Sequence, residues 1–262
     1  MFSGPFDASI IKRAQDKNLV KINIHNLRNW TKDKHKTVDD RPYGGGTGMI
    51  LMVEPVYLAL QDLKPPTGRP DLKVILLSPS AKPFNQKKAR ELSKLNHLIL
   101  IAGHYEGYDE RIRKFVDEEI SIGDYILTGG ELPAMIITDS VVRLISGVIE
   151  KPEATLNESF EPLAIRAPAR TRASASESLI RAPARTRASA SESLTGHKPY
   201  TMLEFPQYTR PENFKGHKVP EVLLSGNHAE IAKWRKNESL KRTKTRRPDL
   251  LRNNQTIEKL DN

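Results

Sequence analysis

Two loops hold the residues best placed to do chemistry. One reads Gly103-His-Tyr-Glu-Gly-Tyr-Asp-Glu-Arg111. The other reads Ser121-Ile-Gly-Asp-Tyr-Ile-Leu-Thr-Gly-Gly-Glu-Leu-Pro-Ala-Met135. Each is tied to a short apolar run, Leu98 to Ala102 before the first and Asp124 to Thr128 inside the second. Apolar runs of this length bounded by glycine are expected as buried strands of a mostly parallel sheet. Ligands in open α/β sheets bind outside the carboxyl ends of such strands. Glycine there lets the backbone turn sharply and lets a ligand approach it closely. A third loop spans Gly44 to Gly48, and the three stretches hold nine of the chain's 15 glycines. With tyrosines and acids on two of them, the expected chemistry is that of a cofactor cleft. The polar segment Thr31 to Gly48 is long for a loop, and its charges followed by glycines suit closure over an anionic ligand. It is not a Walker loop, because no Gly-Lys-Ser/Thr follows, and no GxGxxG dinucleotide fingerprint occurs anywhere in the chain.

The elements that must position these loops alternate between helix and strand. Helices are expected over Phe6 to Asp16, Val53 to Leu63, Phe84 to Leu95 and Glu131 to Ile145, with a helical turn or two over Asp109 to Phe115. Pro133 is acceptable in the first turn of the fourth. Strands are expected over Leu19 to His25, Lys73 to Leu77 (ended by Ser78-Pro79) and Leu98 to Ala102. Pro65 to Pro70 reads as a turn. This alternation is that of an α/β fold. Toward the C-terminus, Val219 to Gly226 is a short apolar segment. A helix then starts at Asn227, capped by that residue, with Ile231 and Trp234 facing inward, basic residues facing out and a break at Pro248.

The 262 residues fit one large domain or two smaller ones. No apolar run approaches the ~18 residues of a membrane span. The first residues have neither the positive start nor the apolar stretch of a signal peptide. No cysteine is present, which excludes disulfides and thiolate metal sites and fits a cytoplasmic protein. The seven histidines show no zinc-site pairing. Net charge is +10. Residues 165–194 hold six Arg against two Glu, and residues 228–252 hold nine Lys or Arg against three acids, so these segments supply the whole excess. A basic C-terminal module beside a neutral body suggests a polyanionic partner, most simply nucleic acid.

Between the two lies a perfect repeat. The fifteen residues Ile165 to Leu179 recur unchanged at Ile180 to Leu194. Two copies are too few for a solenoid, and Ala, Arg, Ser and Pro offer little to bury, so the segment reads as a disordered linker.

Four stretches carry a specific likeness: Asp39-Asp-Arg-Pro-Tyr-Gly-Gly-Gly-Thr-Gly-Met49, the 103–111 loop, the 121–134 loop, and Pro206-Gln-Tyr-Thr-Arg-Pro211 with Leu223-Leu-Ser-Gly-Asn-His-Ala229. Together they closely resemble the bacterial tRNA (guanine-N1-)-methyltransferase family, over about residues 1–160 and 201–252. The resemblance implies a trefoil-knotted α/β methyltransferase of the SPOUT superfamily, acting as a homodimer in the cytoplasm. It implies a methyl transfer from S-adenosylmethionine to N1 of the guanine just 3′ of the anticodon of tRNA. It further implies a catalytic domain over 1–160, a linker over 161–200 and a small, mostly helical, basic tRNA-binding domain over 201–262.

Carried over by motif, the cofactor candidates are Gly103, Tyr105, Glu106, Ile122, Tyr125, Ile126, Leu127, Gly129 and Gly130, with Leu76, Leu77, Ser78 and Pro79 on the adenine side. The substrate candidates are Asp40, Arg41, Tyr43, Gly45, Gly46, Glu204, Tyr208, Arg210, Ser225, Asn227 and His228. Guanine N1 carries a proton at neutral pH, so a base must remove it as the bond forms. A cation would stabilise the charge that develops on the neighbouring oxygen. The family's positions for these roles fall on Glu158, in Asn157-Glu-Ser-Phe160, and Arg143. Glu158 stands where the family usually has Asp. The resemblance leaves a need for Mg²⁺ open, and no protein metal site is evident.

Three further departures bear on activity. The family's first strand would precede Met1, and losing it would expose a neighbour's edge, so a misplaced start fits better than a natural design. Ala81 stands where the family often has glycine, which would tighten the adenine pocket. The repeat lengthens a connection of about 8 residues to about 40, at about 1.5 kcal/mol in closure entropy, which threatens activity more than folding. Two alternatives therefore stand beside an active enzyme: a catalytically weak or inactive RNA-binding homologue, and a related knotted methyltransferase of ribosomal RNA.

Overall fold

The computed structural model describes residues 1–2, 4–64, 71–150 and 202–251. Its centre is a three-stranded parallel sheet. The long strand Leu72–Pro83 lies in the middle, His97–Ile101 on one side and Glu118–Ser121 on the other. In chain order β1 is Asp39–Asp40 and β2 is Ile50–Leu51, an antiparallel pair. The sheet strands are then β3, β4 and β5. A last antiparallel pair is β6, Asn213–Phe214, and β7, His217–Lys218.

Alternation along β3 divides the core. Val74 and Leu76 face a layer that includes Val53, Val56 and Leu60 of α2 (Val53–Leu63). Ile75 and Leu77 face Leu92 of α3 (Gln86–Leu92) and Ala134, Ile137 and Val141 of α4 (Glu131–Val142). Strands buried on both faces read as continuous apolar runs for this reason. α1 (Ser9–Asp16) packs Ile11 and Ala14 against Met135 and Val142 of α4. Asn85 caps α3 by accepting from the Lys88 amide at 3.0 Å.

Four expectations are corrected. Leu19 to His25 is extended but joins no strand ladder among the described residues. Val20 and Ile22 pack on the α1–α4 layer, whereas Ile24 is 59% exposed, so the alternation serves packing over only three residues. Ser78-Pro79 does not end β3. The strand bulges instead: its ladder with β5 runs to Leu77, skips residues 78–81 and resumes at Lys82. Asp124 to Thr128 is loop, and β5 precedes it, because Ile120 fills the sheet's second layer while Ile126 is 80% exposed. The Phe84 to Leu95 helix is the shorter Gln86–Leu92. The Pro65 to Pro70 turn and the duplicated segment lie outside the described residues.

The C-terminal part has its own small core of Val219, Leu223 and Ile231, joined by Trp234 and by Tyr43 from the body. Glu221–Leu223 is a single 3-10 turn. α5 (His228–Arg246) starts where Asn227 accepts from the amides of Ala229 and Glu230. Its basic residues do not all face solvent. Arg242 pairs with Glu110 at 2.5 Å and Arg246 with Glu119 at 2.9 Å. Lys233, Lys236, Lys241 and Lys244 are exposed.

Candidate active site

The three glycine loops meet beyond the carboxyl ends of β3, β4 and β5. The 103–109 loop runs beside the segment after Gly48: the Glu106 amide donates to Met49 O at 3.0 Å, and the Leu51 amide to Gly107 O at 3.0 Å. On its other side, the Gly130 amide donates to Gly103 O at 2.7 Å. A Cβ on Gly130 would lie 2.8 Å from Ala102 Cα and Gly103 N, backbone atoms that cannot yield. A Cβ on Gly129 would lie 2.6 Å from Glu131 Oε2 and 2.8 Å from His104 Cε1. These two glycines are needed for close approach, not for an unusual φ.

Tyr105 sits at φ 68°, a left-handed conformation that a tyrosine rarely adopts, and its side chain is half exposed. Such outliers persist where the surroundings enforce them and gather at ligand sites. Tyr125 and Leu127 of the 121–130 loop are exposed. They help line a cavity of about 550 Å³ with Phe6, Leu132, Ile136 and Asp139. Ile122 is half-buried against the second core layer. Leu76 and Leu77 are buried in opposite layers of the core, so their side chains pack the sheet. Ser78 is buried with its Oγ 2.9 Å from Ser80 Oγ, while Pro79 is exposed. Ala81 is buried in the same bulge.

An adenosyl cofactor needs backbone edges and apolar surface, and both are present. Gly129 and Gly130 pack against Ala102, Gly103, His104 and Glu131, Gly103 has open space where a Cβ would stand, and Tyr125, Ile126 and Leu127 are exposed in the same loop as the two packed glycines. Glu131 Oε1 lies 2.5 Å from His104 Nε2, while its Oε2 is buried with no hydrogen-bond partner among the described residues. An orphaned carboxylate oxygen beside Gly129 suits a ligand that brings a donor. Among the described residues, no group of three His, Asp or Glu is placed to hold a metal ion.

The two residues expected to do the proton chemistry are not both in view. Arg143 is the C-cap of α4 and half-buried. Glu158 lies outside the described residues. Glu204 Oε1 accepts from Gln207 Nε2 at 2.9 Å, and the same nitrogen donates to Glu106 O at 3.1 Å, which brings both acids to the rim of the 103–107 loop.

The substrate candidates fall into two sets. Asp40 and Arg210 are joined to each other at 2.5 Å, and this hydrogen bond holds the Asp40 carboxyl below the usual carboxylate range. The Tyr43 amide donates to Tyr208 O at 2.7 Å, and burial pushes the Tyr208 hydroxyl up to about 12. Arg41, Gly45 and Gly46 are exposed above them, with Gly45 O accepting from Arg235 at 2.6 Å. The other set is the turn before α5. Ser225 Oγ donates to Val222 O, Asn227 caps the helix, and His228 is exposed.

Residue reading missed the clamp that joins these parts. Asp109 and Arg111 are fully or nearly fully buried, and Arg111 donates to Asp109, Thr209 O and Pro211 O. Their place in an acidic, Arg-ended loop gave no signal for this, because the partners lie about a hundred residues on.

A parallel sheet packed between helices, with glycine loops at its carboxyl edge, makes this an α/β protein. More narrowly, the chain belongs to the family described as tRNA (Guanine-1)-methyltransferase TrmD, whose model matches residues 1–187 and 184–253. It is 50% identical over 251 residues to the tRNA (guanine-N(1)-)-methyltransferase of Dictyoglomus turgidum, covering 96% of this chain and 85% of that one. To the enzyme of the same name from Bacillus pumilus it is 47% identical over 258 residues, covering 98% and 90%. To that from Geobacillus kaustophilus it is 47% identical over 252 residues, covering 96% and 87%.

Proposed function

We propose that this chain is a tRNA (guanine-N1-)-methyltransferase that methylates N1 of the guanine just 3′ of the anticodon, with S-adenosylmethionine as donor. The observation that carries the reading is the Gly103–Gly130 junction, where the two loops are hydrogen-bonded, Gly103 has open space at its Cβ position, and Tyr125, Ile126 and Leu127 of the second loop are exposed. When bound, the cofactor supplies an activated methyl group on a good leaving group. Gly103, Gly129 and Gly130 present backbone to it, Tyr105 and Tyr125 cover it, and Ser78 and Pro79 of the bulge meet the adenine side.

The chain's own residues supply the rest. Glu158 takes the proton from guanine N1 as the new bond forms. Arg143, at the end of α4, meets the negative charge that grows on the guanine oxygen. The Asp40–Arg210 and Tyr43–Tyr208 contacts hold the 39–49 and 206–211 segments together, so that tRNA meets one surface.

The same reading makes the α/β body of 1–160 a trefoil-knotted catalytic domain and 201–262 a tRNA-binding domain, joined by 161–200. The exposed apolar residues Leu132 and Ile136 of α4 suit burial against a second copy in a homodimer. Among the described residues no helix is long and apolar enough to cross a membrane, and a cytoplasmic setting accords with a tRNA substrate.

The test is transfer of labelled methyl groups to anticodon stem-loops with guanine, or adenine as control, at the position 3′ of the anticodon. Label at N1 of that guanine alone supports the reading. Label on ribosomal RNA fragments, or none with the cofactor bound, overturns it.

A further inference from the structure

Asp124 stands between Gly123 and Tyr125, inside the 121–130 loop, and is gripped by the residue that ends α5. Arg247 Nη1 donates to Asp124 Oδ1 at 2.6 Å and Nη2 to Oδ2 at 2.8 Å. Two parallel bonds from one guanidinium to one carboxylate fix direction as well as distance. Arg247 is buried, and its Nε and Nη2 also reach Asp249, at 3.0 and 2.6 Å. The guanidinium is thus oriented by Asp249 before it meets the loop, and the two carboxylates match a charge that would be costly to bury alone.

Asp124 is where the loop changes character. Below it, Ser121 Oγ donates to Gly123 O at 2.9 Å and accepts from the Gly123 amide at 3.1 Å, pinning the base of the loop to β5. Above it, Tyr125, Ile126 and Leu127 are exposed. The Arg247 fork is the fixed point beside the side chains that would cover the cofactor.

We propose that Arg247 is a positioning residue for the cofactor loop, setting its conformation from the C-terminal helix through Asp124. The proposal rests on the reading of residues 121–130 as a cofactor loop. A loop set in advance spares the ligand the cost of ordering it. Because α5 also carries the exposed lysines, a polyanion that shifts α5 shifts Asp124. Linkage then requires cofactor and polyanion to alter each other's affinity by the same factor.

The test uses the full chain with Arg247→Met, Arg247→Lys, Asp124→Asn and the double Arg247→Met/Asp124→Asn. Urea unfolding identifies any variant that fails to fold, and Asp124→Asn, at a half-exposed site, is the variant that keeps the test open. In the ligand-free protein, chymotrypsin should cut after Tyr125 several-fold faster in each neutral variant. By calorimetry, the S-adenosylmethionine Kd should rise about 5- to 10-fold in Arg247→Met and in Asp124→Asn, as for a coupled pair, and no further in the double. Arg247→Lys, which keeps the charge and loses the fork, should fall between. Parent-like cleavage and affinity in folded Asp124→Asn would overturn the proposal, as would a double variant whose loss is the product of the singles. A parent chain that binds no cofactor would sink the cofactor reading, while faster cleavage in the variants would still support the grip on the loop.

Discussion

Arg111 closes on Asp109 with both side chains out of reach of water: Nε donates to Oδ1 at 2.8 Å and Nη2 to Oδ2 at 2.7 Å. The same guanidinium donates to the carbonyls of Thr209 and Pro211, and Asp109 Oδ2 accepts from the Thr209 amide at 2.8 Å. The pair therefore holds the 206–211 segment against the 103–111 loop.

Removing one partner leaves a buried charge uncompensated. Arg111→Met or Asp109→Asn should each cost about 3–5 kcal/mol. The double Asp109→Asn/Arg111→Met should cost less than the sum of the two. Urea unfolding measures all three, and strict additivity would mean that the two side chains do not act as a unit.

The packed glycines of the 121–130 loop should separate binding from folding. Gly129→Val brings atoms against the ends of the Glu131 and His104 side chains, which are flexible groups and not backbone. Cofactor affinity should fall more than tenfold, equivalent to about 1.4 kcal/mol, with a near-parent melting temperature. Gly130→Ala instead meets backbone at 2.8 Å and should lower stability as well. Calorimetry and thermal melts read the two effects, and unchanged affinity in folded Gly129→Val would move the pocket elsewhere.

Polyanion binding should follow the exposed lysines of α5. Neutralising Lys233, Lys236, Lys241 and Lys244 should flatten the salt dependence of tRNA binding by about one unit of slope per lost phosphate contact. Arg242→Gln and Arg246→Gln should act through loss of their pairs with Glu110 and Glu119, lowering stability first. A salt slope that moves with the arginines and not with the lysines would reverse this assignment.

Loss of the base should slow chemistry without loosening the complex. Glu158→Gln keeps shape and hydrogen bonding but cannot accept the N1 proton, so turnover should fall ~10²-fold or more at little-changed affinity. Glu158→Asp should keep or raise activity. Glu204 and Glu106 are the rivals, both at the rim of the 103–107 loop. Single-turnover rates of the three Gln variants decide, and a parent rate in Glu158→Gln with a dead Glu204→Gln transfers the role.

Acid should release the Asp40–Arg210 contact. The folded pKa of Asp40 is depressed by Arg210, so its contribution is fully present above the unfolded value of about 3.9 and is lost as pH falls through the folded value. Asp40→Asn should therefore lose less stability than the parent over that acid range. Parallel curves from urea midpoints against pH would show that the pair contributes nothing.

Part of this architecture could be read without coordinates. Val53–Leu63 was expected with the bounds it has, and β4 is displaced by one residue from Leu98 to Ala102. In both, periodicity and burial agree. The glycine loops were legible because close backbone approach forbids side chains. Asp124 to Thr128 has the apolar run of a strand but is loop, since an apolar run does not say whether it lies in the core or at the surface. Leu19 to His25 alternates like a strand, but pairing depends on a neighbour. The clamp of Asp109 and Arg111, and the spending of Arg242, Arg246 and Arg247 on the body's acids, depend on partners far along the chain, where residue spacing carries no signal.

Strand β3 sends Val74 and Leu76 to one layer and Ile75 and Leu77 to the other. The two buried layers share no side chain from it. Repacking α2, beneath the 39–51 side, need not retune α4, beneath the 121–130 loop. Descendants of this chain can thus vary the 39–51 side and the 121–130 side as separate inheritances, with β3 as the wall between them.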